Sequence, residues 1–243
     1  GLLDTLTDAK EYGSILNVEN YDWKLLRSFV SEVDTDGQMT IDSMGAVASQ
    51  RLLARLVEIG EVLAEKYDAV VTNPPYMGGT MGKILTNYLK DKYPISKSDL
   101  FSVFIEKCTT MSEKLLSMVT PESWMFLSTY LSLREQMFRE NHMVNCLHLG
   151  FKAFDCGFGT TAFKIRKCFA DKYEADYVRL VDIESDKKQI CFSELKYHFS
   201  SSVQKHDMLP NKIMAYWCSK VFAKKLSCAS YFGDRYELFP GIK

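Results

Sequence analysis

The tetrad Asn73-Pro74-Pro75-Tyr76 has the residue types and spacing best suited to chemistry in this sequence. An Asn side-chain carbonyl, together with a backbone carbonyl held rigid by proline, can accept both hydrogens of an exocyclic amine. Accepting both hydrogens directs the nitrogen lone pair toward an electrophile, and Tyr76 adds a flat face on which a base can stack. The tetrad therefore predicts a site for a planar amine. A strand-ending turn, in which Asn73 caps and Tyr76 packs, is the alternative interpretation.

The residues before the tetrad predict one half of an α/β unit. Apolar residues repeat at three- and four-residue spacing from Ala46 to Lys66, which predicts a long amphipathic helix. The segment from Tyr67 to Thr72 is short, β-branched and apolar on both faces, as in a strand buried in a parallel sheet. Because ligands bind beyond the carboxyl ends of strands in open α/β sheets, the tetrad follows the strand at the place where a site is expected.

Alternation of helices and strands continues after the tetrad and predicts an α/β fold. The pattern predicts a helix from Asp99 to Glu113 with Asp99 as N-cap, a strand from Lys114 to Thr120 closed by Pro121, and a helix from Thr129 to Glu140. Two further strands, His142 to Leu149 and Thr160 to Ala170, flank glycine-containing turns and predict a hairpin.

The two ends of the chain carry weaker patterns. Near the start we expect a turn or loop from Thr7 to Ser14, helical spacing from Trp23 to Val30, and a break at Asp34 to Gly37. Beyond Asp171 we expect a strand from Asp176 to Asp182 and a helix from Lys212 to Leu226.

Composition excludes several classes of protein. Thirty Lys and Arg against 31 Asp and Glu give a net charge of −1, so a nucleic-acid-binding face would have to be local. No apolar run is long enough for a membrane helix, and we expect a cytoplasmic protein. The seven cysteines form no C-x-x-C pair and are expected to be reduced and packed. The four histidines lack a carboxylate or Cys at ligand spacing, so we expect solvent-facing or core histidines and no metal site.

Four motifs in order carry a resemblance to a known family. They are DAKEYGS at residues 8–14, NPPYMG at 73–78, SWMFLS at 123–128 and TTAF at 160–163. The chain resembles, from Asp8 to Lys167, the S-adenosylmethionine-dependent amino-methyltransferases that methylate adenine N6 or cytosine N4 in DNA. In detail it is similar to the large phage-defence adenine methyltransferases of the BREX and phage-growth-limitation type.

The resemblance implies a Rossmann-like methyltransferase fold, of which this chain holds the C-terminal part. Residues 1–170 would form a partial catalytic domain, and residues 171–243 an appended region leading toward a target-recognition region. The family's glycine-rich cofactor loop is not found in the chain, and Gly78 to Lys83 does not have the spacing of a P-loop. We therefore expect a fragment that is inactive by itself.

The resemblance also implies roles for individual residues. Asn73 and the carbonyl of Pro74, stiffened by Pro75, would hold the adenine N6, and Tyr76 would stack on one face of the flipped base. The second face would be covered by an aromatic residue of the hairpin, Phe158 or else Phe154, for which hairpin packing is the alternative. Asp8 and Asn73 would contact S-adenosylmethionine, although Asp8 also suits a simple turn or cap.

The function implied is site-specific adenine-N6 methylation of double-stranded DNA, with a flipped adenine as the substrate, within a phage-defence or restriction-modification system. Other defence-system proteins would then be partners, and no membrane is implied. Two alternatives remain open at this stage. Similar tetrads serve methyltransferases that act on glutamine side chains or on RNA, and the missing glycine loop would also suit a non-catalytic DNA-binding scaffold.

Overall fold

The structure is a computed structural model that describes residues 1–31, 41–151, 153–154, 157–170 and 172–229. The break expected at Asp34 to Gly37 lies outside the described residues. The chain divides into two compact units. The first comprises residues 1–70 and 77–113, and the second comprises residues 71–76 and 114 onward. The predicted boundary between residues 170 and 171 stays a prediction.

The first unit is helical. Its helices are α1 (Leu2–Leu6), α2 (Ala9–Tyr12), α3 (Trp23–Ser31), α4 (Ile41–Ala64), α5 (Lys83–Lys92) and α6 (Leu100–Met111), with a 3-10 turn at Gly13–Ile15. Two apolar clusters form its core. One joins Leu2, Leu6, Leu16, Val30 and Val57, and the other joins Ile15, Leu85, Leu89, Tyr93, Leu100 and Val103. The helices predicted at 23–30, 46–66 and 99–113 are confirmed, with ends shifted by a few residues.

One prediction for the first unit is wrong. The segment from Thr7 to Ser14 contains the short helix α2 where a turn or loop was expected. Ala9 and the two residues after it are good helix formers, and Gly13 ends the helix with a φ of 57°. The helix spans only four residues, about one turn.

The second unit is built on a mixed sheet. The strands are β1 (Tyr67–Thr72), of which Val71 and Thr72 belong to this unit, β2 (Ser112–Pro121), β3 (His142–Gly150), β4 (Thr160–Arg166), β5 (Ala175–Arg179) and β6 (His198–Ser201). Their order is β1-β2-β4-β3-β5-β6. Strand β4 is antiparallel to both β2 and β3, and β5 is parallel to β3. The predicted α/β fold with an antiparallel hairpin is confirmed, although β4 ends at Arg166 and β5 at Arg179, earlier than expected.

The expectation that β1 is buried on both faces is wrong for the described chain. Asp68, Ala69 and Val71 are exposed, and 78% of Val71 is accessible to solvent. Strand β1 stands at the end of the strand order, so the described residues give it β2 as a neighbour on one side. The β-branched composition predicted the strand correctly but not what covers it.

Four helices follow in the second unit: α7 (Leu131–Arg139), α8 (Lys188–Cys191), α9 (Val203–Asp207) and α10 (Lys220–Ser227). The helix expected from Lys212 to Leu226 is wrong in its first half. Residues 213–219 are not helical, because their backbone groups bond elsewhere. Met214 N donates to Met125 O at 2.9 Å, and the carbonyl of the buried Tyr216 accepts a hydrogen bond from Lys205 Nζ at 2.6 Å. Ser219 then caps α10 by accepting a hydrogen bond from Phe222 N.

Four buried cations hold irregular backbone in place. Lys107 Nζ donates to Leu16 O, Asn17 Oδ1 and Leu63 O in the first unit. In the second unit, Arg134 donates to Trp124 O, Leu127 O and Asn211 O, Lys188 to Leu149 O and Leu180 O, and Lys205 to Tyr216 O. Each of the four is at most 6% exposed. Their partners are mainly backbone carbonyl oxygens, to which the cations supply hydrogen-bond donors inside the protein.

No helix among residues with an assigned structure is both long and apolar enough to cross a bilayer. The six cysteines that the described ranges contain are free, as expected, but Cys168 and Cys228 are exposed, so the expectation of packed thiols is wrong for these two. Cys108 and Cys146 are buried, and burial raises the pKa of the Cys108 thiol to about 11 and that of the Cys146 thiol to about 12. These two thiols are therefore packing groups rather than nucleophiles.

Candidate functional site

The tetrad leaves the end of β1 and is fixed by its own tyrosine. Asn73 is exposed, Pro74 is buried and Tyr76 is half-buried. The Tyr76 hydroxyl lies 2.7 Å from Asn73 Oδ1 and 3.2 Å from Val119 O on β2. A phenol has one proton, so it donates to one of these acceptors at a time. The hydroxyl therefore lies between the Asn73 side chain and the end of the neighbouring strand, within hydrogen-bond distance of both.

This contact bears on how an amine could bind. An amide oxygen has two lone pairs, so Asn73 Oδ1 can accept a hydrogen bond from Tyr76 and still accept another from an incoming N–H group. When the hydroxyl donates to Asn73, the amide oxygen is the end of the side chain that faces Tyr76. Pro74 is buried, and the following Pro75 restricts the ψ of Pro74 and with it the direction of the Pro74 carbonyl.

The two aromatic residues predicted for the base are placed differently. Phe158 contacts Tyr76 edge to face, with ring centroids 5.3 Å apart and an interplanar angle of 81°. Phe154 is 50% exposed. A base held between two rings needs a separation of about 7 Å, twice a van der Waals contact. The structure therefore brings Tyr76 and Phe158 together in a closed arrangement, and a base can enter only if one ring moves.

The turn after β2 adds a polar group beside this aromatic pair. Glu122 N donates to Gly159 O at 2.9 Å, next to Phe158. The Glu122 carboxylate lies 2.7 Å from His148 Nε2, and His148 Nδ1 lies 2.8 Å from the Tyr216 hydroxyl. The sequence analysis did not identify this hydrogen-bonded series, because Glu122 and His148 are 26 residues apart.

The other histidine predictions have mixed outcomes. The core interpretation is confirmed for His142, His148 and His206, which are 3 to 4% exposed. His198 is half-buried, and its Nδ1 lies 3.7 Å from Asp176 Oδ1. Burial lowers the pKa of His206 to about 3, so this ring is neutral at physiological pH.

In the first unit, Asp99 organises the residues that follow the tetrad. Its Oδ1 accepts hydrogen bonds from Phe101 N at 3.3 Å, which confirms the predicted N-cap, and from Met77 N at 3.0 Å. A Cβ atom at Gly78 would lie 2.6 Å from Asp99 Oδ2. The aspartate thus anchors Met77 and requires a glycine beside it.

The residues present do not make up a complete S-adenosylmethionine site. Asp8 is exposed, has a left-handed φ of 59° and precedes α2 without a side-chain capping bond. Asn73, the other predicted contact, already engages Tyr76. The G-x-G of the sequence, Gly157-Phe158-Gly159, lies between the antiparallel strands β3 and β4 and does not lead from a strand into a helix, so it is not a cofactor loop of the Rossmann type. The roles of Asp8 and Asn73 toward the cofactor therefore stay predictions.

Comparison with known proteins agrees with the motifs. The chain is 36% identical over 239 residues to the adenine-specific methyltransferase PglX of Lacticaseibacillus casei (strain Zhang), an alignment that covers 92% of this chain and 20% of the relative. It is 31% identical over 244 residues to the adenine-specific methyltransferase BrxX of Escherichia coli O9:H4 (strain HS), covering 96% of this chain and 20% of the relative. The chain thus spans about a fifth of the length of these curated relatives.

A family model matches residues 18–154, which include the tetrad, helix α6 and the start of the hairpin. The model is that of the Eco57I restriction-modification methylase. The family resemblance predicted from the four motifs is thereby confirmed. Because the match covers more than half of its residues, the chain belongs to the Eco57I restriction-modification methylase family.

Proposed function

We propose that this chain is part of the catalytic domain of an enzyme that methylates the N6 of adenine in double-stranded DNA, with S-adenosylmethionine as the methyl donor. One observation carries the proposal. The Asn73 carbonyl stands at the end of β1, oriented by the Tyr76 hydroxyl, in a chain of the Eco57I methylase family. The two relatives described above are both named as adenine-specific methyltransferases, which supports adenine as the substrate.

The chain's own residues would bind and orient the target amine. Asn73 Oδ1 and the Pro74 carbonyl would each accept one hydrogen of N6, which leaves the nitrogen lone pair directed away from both acceptors. Pro75 keeps the loop from adjusting, since its φ is fixed. This arrangement contributes orientation, which is the main requirement when no covalent intermediate is formed.

The target adenine must leave the duplex to reach Asn73. Extrusion of a base costs a few kcal/mol. Stacking on aromatic side chains contributes about 1 to 3 kcal/mol per base, which offsets much of that cost. Tyr76 would cover one face, and Phe158 would cover the other after its ring has swung out of its present edge-to-face contact.

We extend the proposal to the setting of the enzyme. As part of a phage-defence or restriction-modification system, the protein would act in the cytoplasm on duplex DNA and would have other defence-system proteins as partners. The similarity to PglX and BrxX over nearly the whole chain supports this placement.

The test uses the full-length protein and its Asn73→Ala variant. Transfer of a labelled methyl group to duplex DNA is measured, and N6-methyladenine is identified in the digested DNA by mass spectrometry. Asn87→Ala is the matched control, because Asn87 is exposed on α5. We expect label in DNA for the wild type and the control and a near-complete loss for Asn73→Ala. Label in glutamine or RNA instead, or activity of Asn73→Ala within a few-fold of wild type, would refute the proposal.

A further inference from the structure

Glu122 stands on a rigid turn directly after β2. The turn, Glu122–Met125, is a 3-10 helix whose Trp124 is fully buried. The Trp124 Nε1 donates to Thr120 Oγ1 at 3.0 Å, and Met125 O accepts from Met214 N at 2.9 Å. The Arg134 guanidinium adds a hydrogen bond to Trp124 O at 2.6 Å. The backbone that carries Glu122 is therefore held on both sides of the turn.

Glu122 touches the hairpin next to Phe158. Its backbone N–H donates to Gly159 O, and its carboxylate covers the α-carbon of Gly159. A Cβ atom at position 159 would lie 2.2 Å from Glu122 Oε1, closer than any real contact. Glycine at 159 is thus the residue that permits the carboxylate to lie where it does.

Two further residues fix the carboxylate. His148 Nε2 lies 2.7 Å from Glu122 Oε2, and His148 Nδ1 lies 2.8 Å from the Tyr216 hydroxyl. His148 is 3% exposed and Tyr216 is 1% exposed. Burial raises the pKa of Tyr216 well above its usual value, so the phenol stays protonated. Because both ring nitrogens have partners, the imidazole cannot rotate without breaking a buried hydrogen bond.

We propose that Glu122 is a positioning residue of the base site: held by His148 and Tyr216, its carboxylate fixes the Phe158-Gly159 segment and so determines where the Phe158 ring closes on a flipped base opposite Tyr76. This inference rests on the proposed function. It assigns Glu122 no contact with the reacting atoms, since its effect passes through Gly159 to Phe158.

The first test measures base flipping by the full-length protein. Sequencing of methylated DNA identifies the target adenine, and 2-aminopurine replaces it in a duplex oligonucleotide. We expect a fluorescence rise with the wild type, a nearly equal rise with Glu122→Gln, which keeps the shape and the acceptor, and about a tenfold smaller flipped fraction with Glu122→Ala. Glu140→Ala, an exposed carboxylate after α7, is the control and should match the wild type.

The second test separates positioning from packing. Gly159→Ala should lower the melting temperature because its methyl group meets the Glu122 carboxylate. Glu122→Ala should lower it as well, because His148 loses a partner, but the double variant should lose less than the sum of the two single variants since the clash is absent. The double variant should still flip poorly, because no carboxylate positions Phe158. Normal flipping by this double variant, or by Glu122→Ala alone, would overturn the inference. A wild type that gives no fluorescence rise would overturn the proposed base flipping and the inference with it, whatever the melting temperatures show.

Discussion

Tyr76→Phe isolates the hydroxyl that orients Asn73 while it leaves the stacking face in place. The hydroxyl lies within hydrogen-bond distance of Asn73 Oδ1, at 2.7 Å, and of Val119 O, at 3.2 Å. Stacking alone would leave the phenylalanine variant with most of its activity. Because the structure shows this additional contact, we expect a measurable loss of activity in Tyr76→Phe. The cause would be an Asn73 side chain that is no longer held in the orientation that binds the amine.

The magnitude follows from one neutral hydrogen bond. Such a bond contributes about 0.5 to 1.5 kcal/mol net, which corresponds to a roughly two- to tenfold decrease in kcat. Tyr76→Ala loses the same bond and also the stacking face, which is worth about 1 to 3 kcal/mol more. We therefore expect kcat to decrease in the order wild type, Tyr76→Phe, Tyr76→Ala. Tyr76→Ala should also raise the KM for DNA.

The assay is single-turnover and steady-state methylation of duplex DNA by the full-length protein. Tyr173→Phe is the control, since Tyr173 lies outside the tetrad and the described residues give its hydroxyl no hydrogen bond. If Tyr76→Phe equals the wild type in kcat while Tyr76→Ala is impaired, Tyr76 acts by stacking alone. The orientation of Asn73 by the hydroxyl would then be refuted.

Three further predictions address the parts that support the site. Asp99→Ala should speed hydrogen exchange at the Met77 and Phe101 amides and cost about 1 kcal/mol, whereas Asp99→Asn should retain most of the protection. Arg134→Met removes the guanidinium donor from the carbonyls of Trp124, Leu127 and Asn211, the first of these bonds being fully buried, and should cost about 1 to 3 kcal/mol, seen as faster exchange of residues 124–127, and unchanged exchange would contradict this. Burial and the charge of Lys66 lower the pKa of Lys107 to about 8, so the folded state binds fewer protons than the unfolded state above that pH. The difference in melting temperature between the wild type and Lys107→Met should therefore shift in favour of the wild type as the pH rises from about 8 to about 10.5. A difference that stays constant over this range would exclude the effect.

Local patterns predicted those features of the fold that depend on neighbouring residues in the sequence. The bounds of β1, the capping of α6 by Asp99 and the β3–β4 hairpin each follow from a few adjacent residue types. The N-cap at Ser219 is also a local signal. It predicts the start of α10 correctly, whereas the apolar spacing places the start of this helix too early.

Features that depend on distant residues could not be predicted in this way. The exposure of Val71 depends on what lies beside β1, and a strand's composition does not contain that information. The pairing of His148 with Glu122 and with Tyr216 joins residues 26 and 68 positions apart. The pairing of Tyr76 with Phe158 was anticipated through the family resemblance, but its closed edge-to-face geometry was not.

The four buried cations change how the protein's charge appears to an approaching DNA molecule. The sequence has a net charge of −1, and that figure counts Lys107, Arg134, Lys188 and Lys205, which point at carbonyl oxygens inside the protein. Among the described side chains there are 27 Lys and Arg against 23 Asp and Glu, so the four buried cations account for all of the positive excess, and the remaining 23 cations only balance the 23 acidic groups. A diffusing duplex would feel little long-range attraction toward this chain, so electrostatic steering by the chain as a whole would not accelerate the encounter.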